Sequence, residues 1–156
     1  MAQLTLKRSN QSNKIPNPGD LAWGELALNY TDGKLYYKRN TDSSIVDIVN
    51  YTPKLITANT STTTIDFLSA YNFHITLQAN TQFVLSNLTP RIGSSGNIVI
   101  IQDGTGGRTF TKATEMKTPI GGASIDQWTA ANSLSLITYY IVDSNKVIIN
   151  YIGNFA

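Results

Sequence analysis

Beyond Pro53 the chain alternates apolar and polar residues with a period near two, the pattern of strands with one face turned inward. Phe73, Ile75 and Leu77 point one way, followed by Phe83 and Leu85. The pattern predicts strands at Thr62–Phe67, Phe73–Ala79, Gln82–Leu88, Asn97–Gln102, Arg108–Lys112, Ser133–Val142 and Lys146–Ile152. Ala79-Asn80-Thr81-Gln82 and Asp143-Ser144-Asn145-Lys146 carry turn chemistry between successive strands. No stretch has the 3.6-residue period of a three-turn helix, although Ala123–Asn132 has room for one turn. Many short strands at this spacing predict an all-β fold, with residues 53–156 as a β-sandwich of immunoglobulin-like or jelly-roll-like kind.

The first fifty residues read differently. Residues 1–20 are polar and broken by Pro16 and Pro18, so they form an extended arm without a core of its own. The Leu4-Thr5-Leu6-Lys7 alternation gives that arm one short strand. Gly24–Tyr30 and Lys34–Arg39 then flank Thr31-Asp32-Gly33, and an Asp-Gly pair between alternating runs predicts a hairpin with a type I′ turn. Leu26 and Leu28 share one face, with Leu35 and Tyr37 opposite them, and Ser44–Val49 supplies a third strand. Three short strands with so few apolar residues fall below self-supporting size, so residues 1–52 are expected to need a neighbour.

Composition narrows the function. Charged residues are 14% of the 156, about half the usual share, and 12 Lys and Arg stand against 10 Asp and Glu. A formal charge of +2 excludes a basic nucleic-acid binder as a first reading. The chain has no Cys and one His, His74, which excludes disulfides, thiolate metal sites and His-rich centres. No cofactor is expected. The N-terminus lacks a secretory signal, and the apolar stretch Leu134–Val142 is far short of the roughly 20 residues of a membrane-spanning helix, so neither membrane nor secretion is expected.

Candidate chemistry is thin. Asp103-Gly104-Thr105-Gly106-Gly107-Arg108-Thr109 lacks the spacing and the lysine of a phosphate loop and reads as a glycine-rich turn between strands. His74 sits in an alternating strand on the face opposite Phe73 and Ile75, a solvent-facing position. The carboxylates mostly lie beside Gly, Ser or Asn in turns, without the facing pair a glycosidase needs. The tyrosines, with Trp23 and Trp128, suit a sugar-stacking surface or, more commonly for strands, cores and interfaces. An enzyme is not expected.

Leu6-Lys7-Arg8-Ser9-Asn10, Lys14-Ile15-Pro16, Leu21, Gly24–Asn29 and Asp32–Tyr36 together resemble the N-terminal segment of bacteriophage fibre and appendage proteins, over roughly residues 4–49. Ile75–Thr81, Phe83-Val84-Leu85 and Ile101–Thr109 are similar to small β-sandwich modules of phage virion proteins, although those often carry Trp where this chain has Lys112. The resemblance implies a non-enzymatic virion structural protein, commonly a homotrimer, made in the host cytoplasm and carried on the particle surface. Its short reach suits a capsid decoration (cement) or short head-fibre protein. The alternatives are a tail fibre or tail-adaptor subunit, or a receptor- or carbohydrate-binding module. Expected partners are further copies of the chain, capsid or tail proteins, and a host surface glycan. Leu4, Leu6, Lys7, Arg8, Ile15, Trp23, Leu26, Leu28, Leu35 and Tyr37 are the expected attachment and assembly residues.

Overall fold

A computed structural model of the chain describes residues 6–48, 52–119, 125 and 127–155. These form strands and two single 3-10 turns, Pro18–Asp20 and Thr89–Arg91, with no α-helix among the described residues. The class is all-β, as the alternation predicts. The one-turn helix envisaged at Ala123–Asn132 falls partly outside the described residues, and residues 127–132 hold only extended chain and turn. The chain divides into two compact units, Met1–Asn50 and Tyr51–Ala156.

The first unit is one sheet in the order β1 (Lys7–Ser9), β2 (Leu26–Asn29), β3 (Lys34–Lys38), β4 (Ile45–Asp47). The hairpin β2–β3 puts Leu26, Leu28, Leu35 and Tyr37 on one face, as the alternation anticipates, with Leu28 aligned with Leu35 and Leu26 with Tyr37. Its turn differs from the type I′ expectation. Asn29 pairs with Lys34, which leaves the four-residue loop Tyr30–Gly33, and Gly33 (φ +66°) alone among those four is left-handed. The reason is Asn29: its Oδ1 accepts from the Thr31 and Asp32 N–H groups at 3.1 and 3.2 Å, holding the start of the loop in an ordinary turn. The arm strand β1 joins the other edge of β2 in parallel, Lys7 to Ala27 and Ser9 to Asn29.

Among the described residues the second unit holds nine strands: β5 (Lys54–Ala58), β6 (Thr62–Asp66), β7 (Asn72–Leu77), β8 (Thr81–Ser86), β9 (Ser95–Gln102), β10 (Phe110–Thr111), β11 (Met116–Lys117), β12 (Leu134–Asp143) and β13 (Lys146–Phe155). They make a six-stranded sheet, β11-β13-β12-β9-β7-β5, and a three-stranded sheet, β10-β8-β6. β5, β7 and β9 pair in parallel in one sheet, and β6, β8 and β10 in parallel in the other. From β5 to β10 the chain therefore coils three times, laying one strand in each sheet per round. A long hairpin, β12–β13, then extends the larger sheet beside β9 in antiparallel pairing, with Asp143 next to Lys146 at its tip.

Two sheets sharing one core match the sandwich expectation, but the connectivity is neither immunoglobulin-like nor jelly-roll-like, since both of those are antiparallel. Ala79-Asn80 does not fold β8 back onto β7. It carries the chain across to the other sheet, so these successive strands are not hydrogen-bonded neighbours. Side-chain alternation is the same in parallel and antiparallel strands, which is why the pattern alone left this open.

The core is built from both sheets. Phe83 and Phe110 of the small sheet stack at 4.7 Å, and Phe67 meets Phe73 and Tyr139 edge-on at 5.6 and 5.0 Å. Ile75, Leu77, Ile98, Ile137, Ile141, Val147 and Met116 fill the space between, each completely or almost completely buried. Buried polar atoms are paired: Thr63 with Thr81 between their hydroxyls at 2.8 Å, and Tyr151 Oη donating to Ser135 Oγ at 2.8 Å. Among the described residues, no buried side-chain nitrogen or oxygen lacks a partner.

Candidate assembly surfaces

The arm is held to its hairpin by a polar knot. Asn29, buried to 1% exposure, donates through Nδ2 to the carbonyls of Gln11 (2.8 Å) and Lys14 (3.1 Å) and to Asp32 Oδ2 (2.7 Å). The Asp32 carboxylate in turn accepts from the Asn13 N–H at 2.6 Å and from Ser12 Oγ at 3.0 Å. Thr31 Oγ1 donates to the Asn10 carbonyl at 2.7 Å. Farther along, Lys7 reaches the Asp20 carbonyl and Glu25 Oε2, the latter at 3.2 Å. The Ala22 N–H, with help from Lys7, holds the Glu25 carboxyl below the usual carboxylate range. A cavity of about 390 Å³ lies between arm and sheet, bounded by Lys7, Lys14, Pro16, Leu21, Ala27 and Tyr36.

The sequence-predicted assembly residues separate into groups. Leu4 lies outside the described residues. Lys7, with its side chain about half exposed, bonds within the unit to Glu25 and the Asp20 carbonyl. Leu26, Leu28, Leu35 and Tyr37 come together on one half-exposed sheet face, joined by Val46 opposite Tyr37 and by Arg8 opposite Leu28. Leu6 is half-buried next to β1, while Ile15 (58% exposed) and Trp23 (68%) stand out from the loops. Sequence reading missed Asn29 and Asp32 as partners of the arm. The only signal was their polarity, which turns share.

In the second unit the glycine-rich string is the corner of the third round, leading from β9 to β10. Asp103 accepts from the Gly106 N–H (2.8 Å) and the Thr105 N–H (3.0 Å), which lower its carboxyl, and Arg108 Nε stands 3.4 Å from it. Gln102, buried, locks the same corner by donating to the Arg108 carbonyl and accepting its N–H. His74 faces outward on β7, half-exposed, between Leu55 and Val99. Among the described residues no three His, Asp or Glu side chains group as a metal ion would require.

The two outer faces of this unit are unlike. The small sheet turns Thr62, Thr64, Gln82 and Thr111 to solvent, with Val84 between them. The large sheet turns out Leu136, Tyr140, Ile148 and Ile152, flanked by Val99 and Leu134. The described residues thus present extended faces on both sheets.

Residues 51–142 match the family model described as "Putative phage tail fibre C-terminal domain". No curated protein matches the chain.

Proposed function

The chain belongs to the phage tail fibre C-terminal domain family, and from that premise we propose that this virion fibre-type structural protein is a subunit of the tail fibre itself. The family match, which covers the coiled unit from β5 to most of β12, is the observation that carries the reading. Capsid decoration, which modest length favours in the sequence, is the less supported role, because the matched family is one of tail fibres. In this reading the coiled unit is the fibre domain, and the first unit joins it to the rest of the tail. Its apolar face at Leu26, Leu28, Leu35 and Tyr37 supplies the docking surface, and the knot at Asn29 keeps the arm in place for it. The working form is a homotrimer on the particle surface, as the resemblance of residues 4–49 to fibre N-terminal segments implies. Its action is mechanical, with no reaction catalysed.

Gold-labelled antibody against residues 53–156, applied to purified particles, tests this. Label on the tail fibres is expected. Label spread over the capsid shell would replace the fibre role with decoration, and particles without the chain would end the virion reading altogether.

A further inference from the structure

We infer that the outer face of the six-stranded sheet is where copies of this chain meet. The inference rests on the homo-oligomer part of the reading above and is independent of where on the particle the protein sits.

The register puts apolar side chains side by side across three strands: Leu136 stands between Ile152 and Val99, and Tyr140 next to Ile148. Tyr140, Ile148 and Ile152 are 47%, 52% and 45% exposed. A sheet face left to solvent in a two-layer unit ordinarily alternates to polar residues. The opposite sheet departs less, with Thr62, Thr64 and Gln82 around one exposed Val84, while the large face carries its apolar rows on either side of the polar row Asn150, Thr138 and Asn97.

Charge favours a second copy as the occupant. When a face meets its own symmetry mate, a charge near the axis confronts a like charge. Ser95–Gln102 and Leu134–Val142 contain no Asp, Glu, Lys or Arg, so the middle of the face is uncharged; the charged groups lie around it, Lys117 beside Ile148, Lys146 with Asp143 at the hairpin tip and Lys54 on β5, with His74 on β7. Across β9 and β12 the face offers no charge to complement a partner of different composition. The size also suits. Six strands about 4.8 Å apart, from two residues at β11 to ten at β12 and β13, give a face of roughly 650 Å². That is on the scale of the ~800 Å² of accessible surface per partner in a standard interface.

Light scattering on the purified full-length chain tests the inference. The unaltered protein should be a multimer, and Leu136→Glu with Ile148→Glu should reduce it to monomer, while Thr64→Glu with Gln82→Glu on the other face should leave the mass unchanged. A multimer indifferent to the first pair, or equally sensitive to both, would overturn the inference. So would a monomeric native chain that gains mass only with another virion protein. Because the chain has no Cys, a single thiol gives a second reading that does not depend on a folded charge variant. Thr138→Cys should react with maleimide on the order of tenfold or more slowly than Thr64→Cys, and equal rates would show the face to be open. Antibody labelling of particles tests the fibre role separately, so either idea can fail without the other.

Discussion

Asn29 and Asp32 meet side chain to side chain at 2.7 Å, and through this contact a hairpin turn holds an arm that precedes it by some twenty residues. Asn29 supplies both hydrogens of its amide to that arm and to Asp32, while its oxygen shapes the turn. The pair works as one device: the turn that closes β2 onto β3 also presents the acceptors that order residues 10–14.

Asn29→Ala should therefore release the arm rather than unfold the hairpin. It removes one donor each from the carbonyls of Gln11 and Lys14 and from Asp32 Oδ2, which keeps the Asn13 N–H, at a cost of about 1–3 kcal/mol. Trypsin should cleave after Lys14 faster in Asn29→Ala and in Asp32→Ala than in the parent. Equal protection would mean that the arm is held by β1 pairing alone.

Gly33 tests the corrected turn. Its φ of +66° is left-handed, and nothing lies within 4 Å of an added Cβ, so backbone conformation alone sets the cost. Gly33→Val should destabilise the first unit by about 1–2 kcal/mol, and Gly33→Asn by much less. Asp32 does not share the positive φ, so placing Gly there should bring no gain from turn geometry and should lose the arm contacts instead. Urea midpoints of the four proteins check this ordering.

The legible parts of the fold were those that alternation controls. That Leu26, Leu28, Leu35 and Tyr37 share a face follows from period two, while the pairing of Leu28 with Leu35 follows from a four-residue loop that the Asp-Gly pair does not announce. The three parallel rounds were not legible, since their evidence lies in which strands pair across Asn59–Ser61 and Gln78–Asn80, and those connections look like any polar turn. β12 shows the limit within a single strand. Leu134-Ser135-Leu136 invites a reading with the leucines inside, yet Ser135 is buried and both leucines face out. Ile137, Tyr139 and Ile141 set the facing of the whole strand, and Ser135 is accommodated because Tyr151 Oη reaches it. The candidate interface was hidden for the same reason: both faces of β12 carry apolar residues, so alternation does not say which one is outside.

Gly96 is a site where a methyl group has no room. On β9 it lies across from Tyr139, and an added Cβ would stand 2.6 Å from the Tyr139 hydroxyl and closer still to the Tyr71 carbonyl. The Tyr139 Oη donates to that carbonyl at 2.6 Å, so the bond passes directly over the glycine. Gly96→Ala should cost about 1–3 kcal/mol or more by forcing the two apart. Tyr139→Phe gives up the bond for about 1 kcal/mol. The double variant should be more stable than the sum of the two losses predicts, because each breaks the same contact. Additive losses in a double-mutant cycle would show that Gly96 is required by something other than this hydroxyl.

Tyr139 also predicts how the protein responds to alkali. Burial raises its pKa above the ordinary tyrosine value of 10.0, opposed only in part by Arg91. The unfolded chain therefore loses this proton at lower pH than the native chain does. Stability attributable to the group is complete below pH 10 and falls as pH rises beyond it, because the unfolded state then binds fewer protons. Tyr36 is raised in the same direction by burial, so some alkaline slope belongs to the first unit. Urea midpoints of the second unit, followed by amide exchange from about pH 8 to 11, should decline above pH 10 in the parent. In Tyr139→Phe they should start lower and decline less. A parallel decline in both proteins would place the alkaline sensitivity elsewhere than at the hydroxyl that spans β12 and the Tyr71 carbonyl.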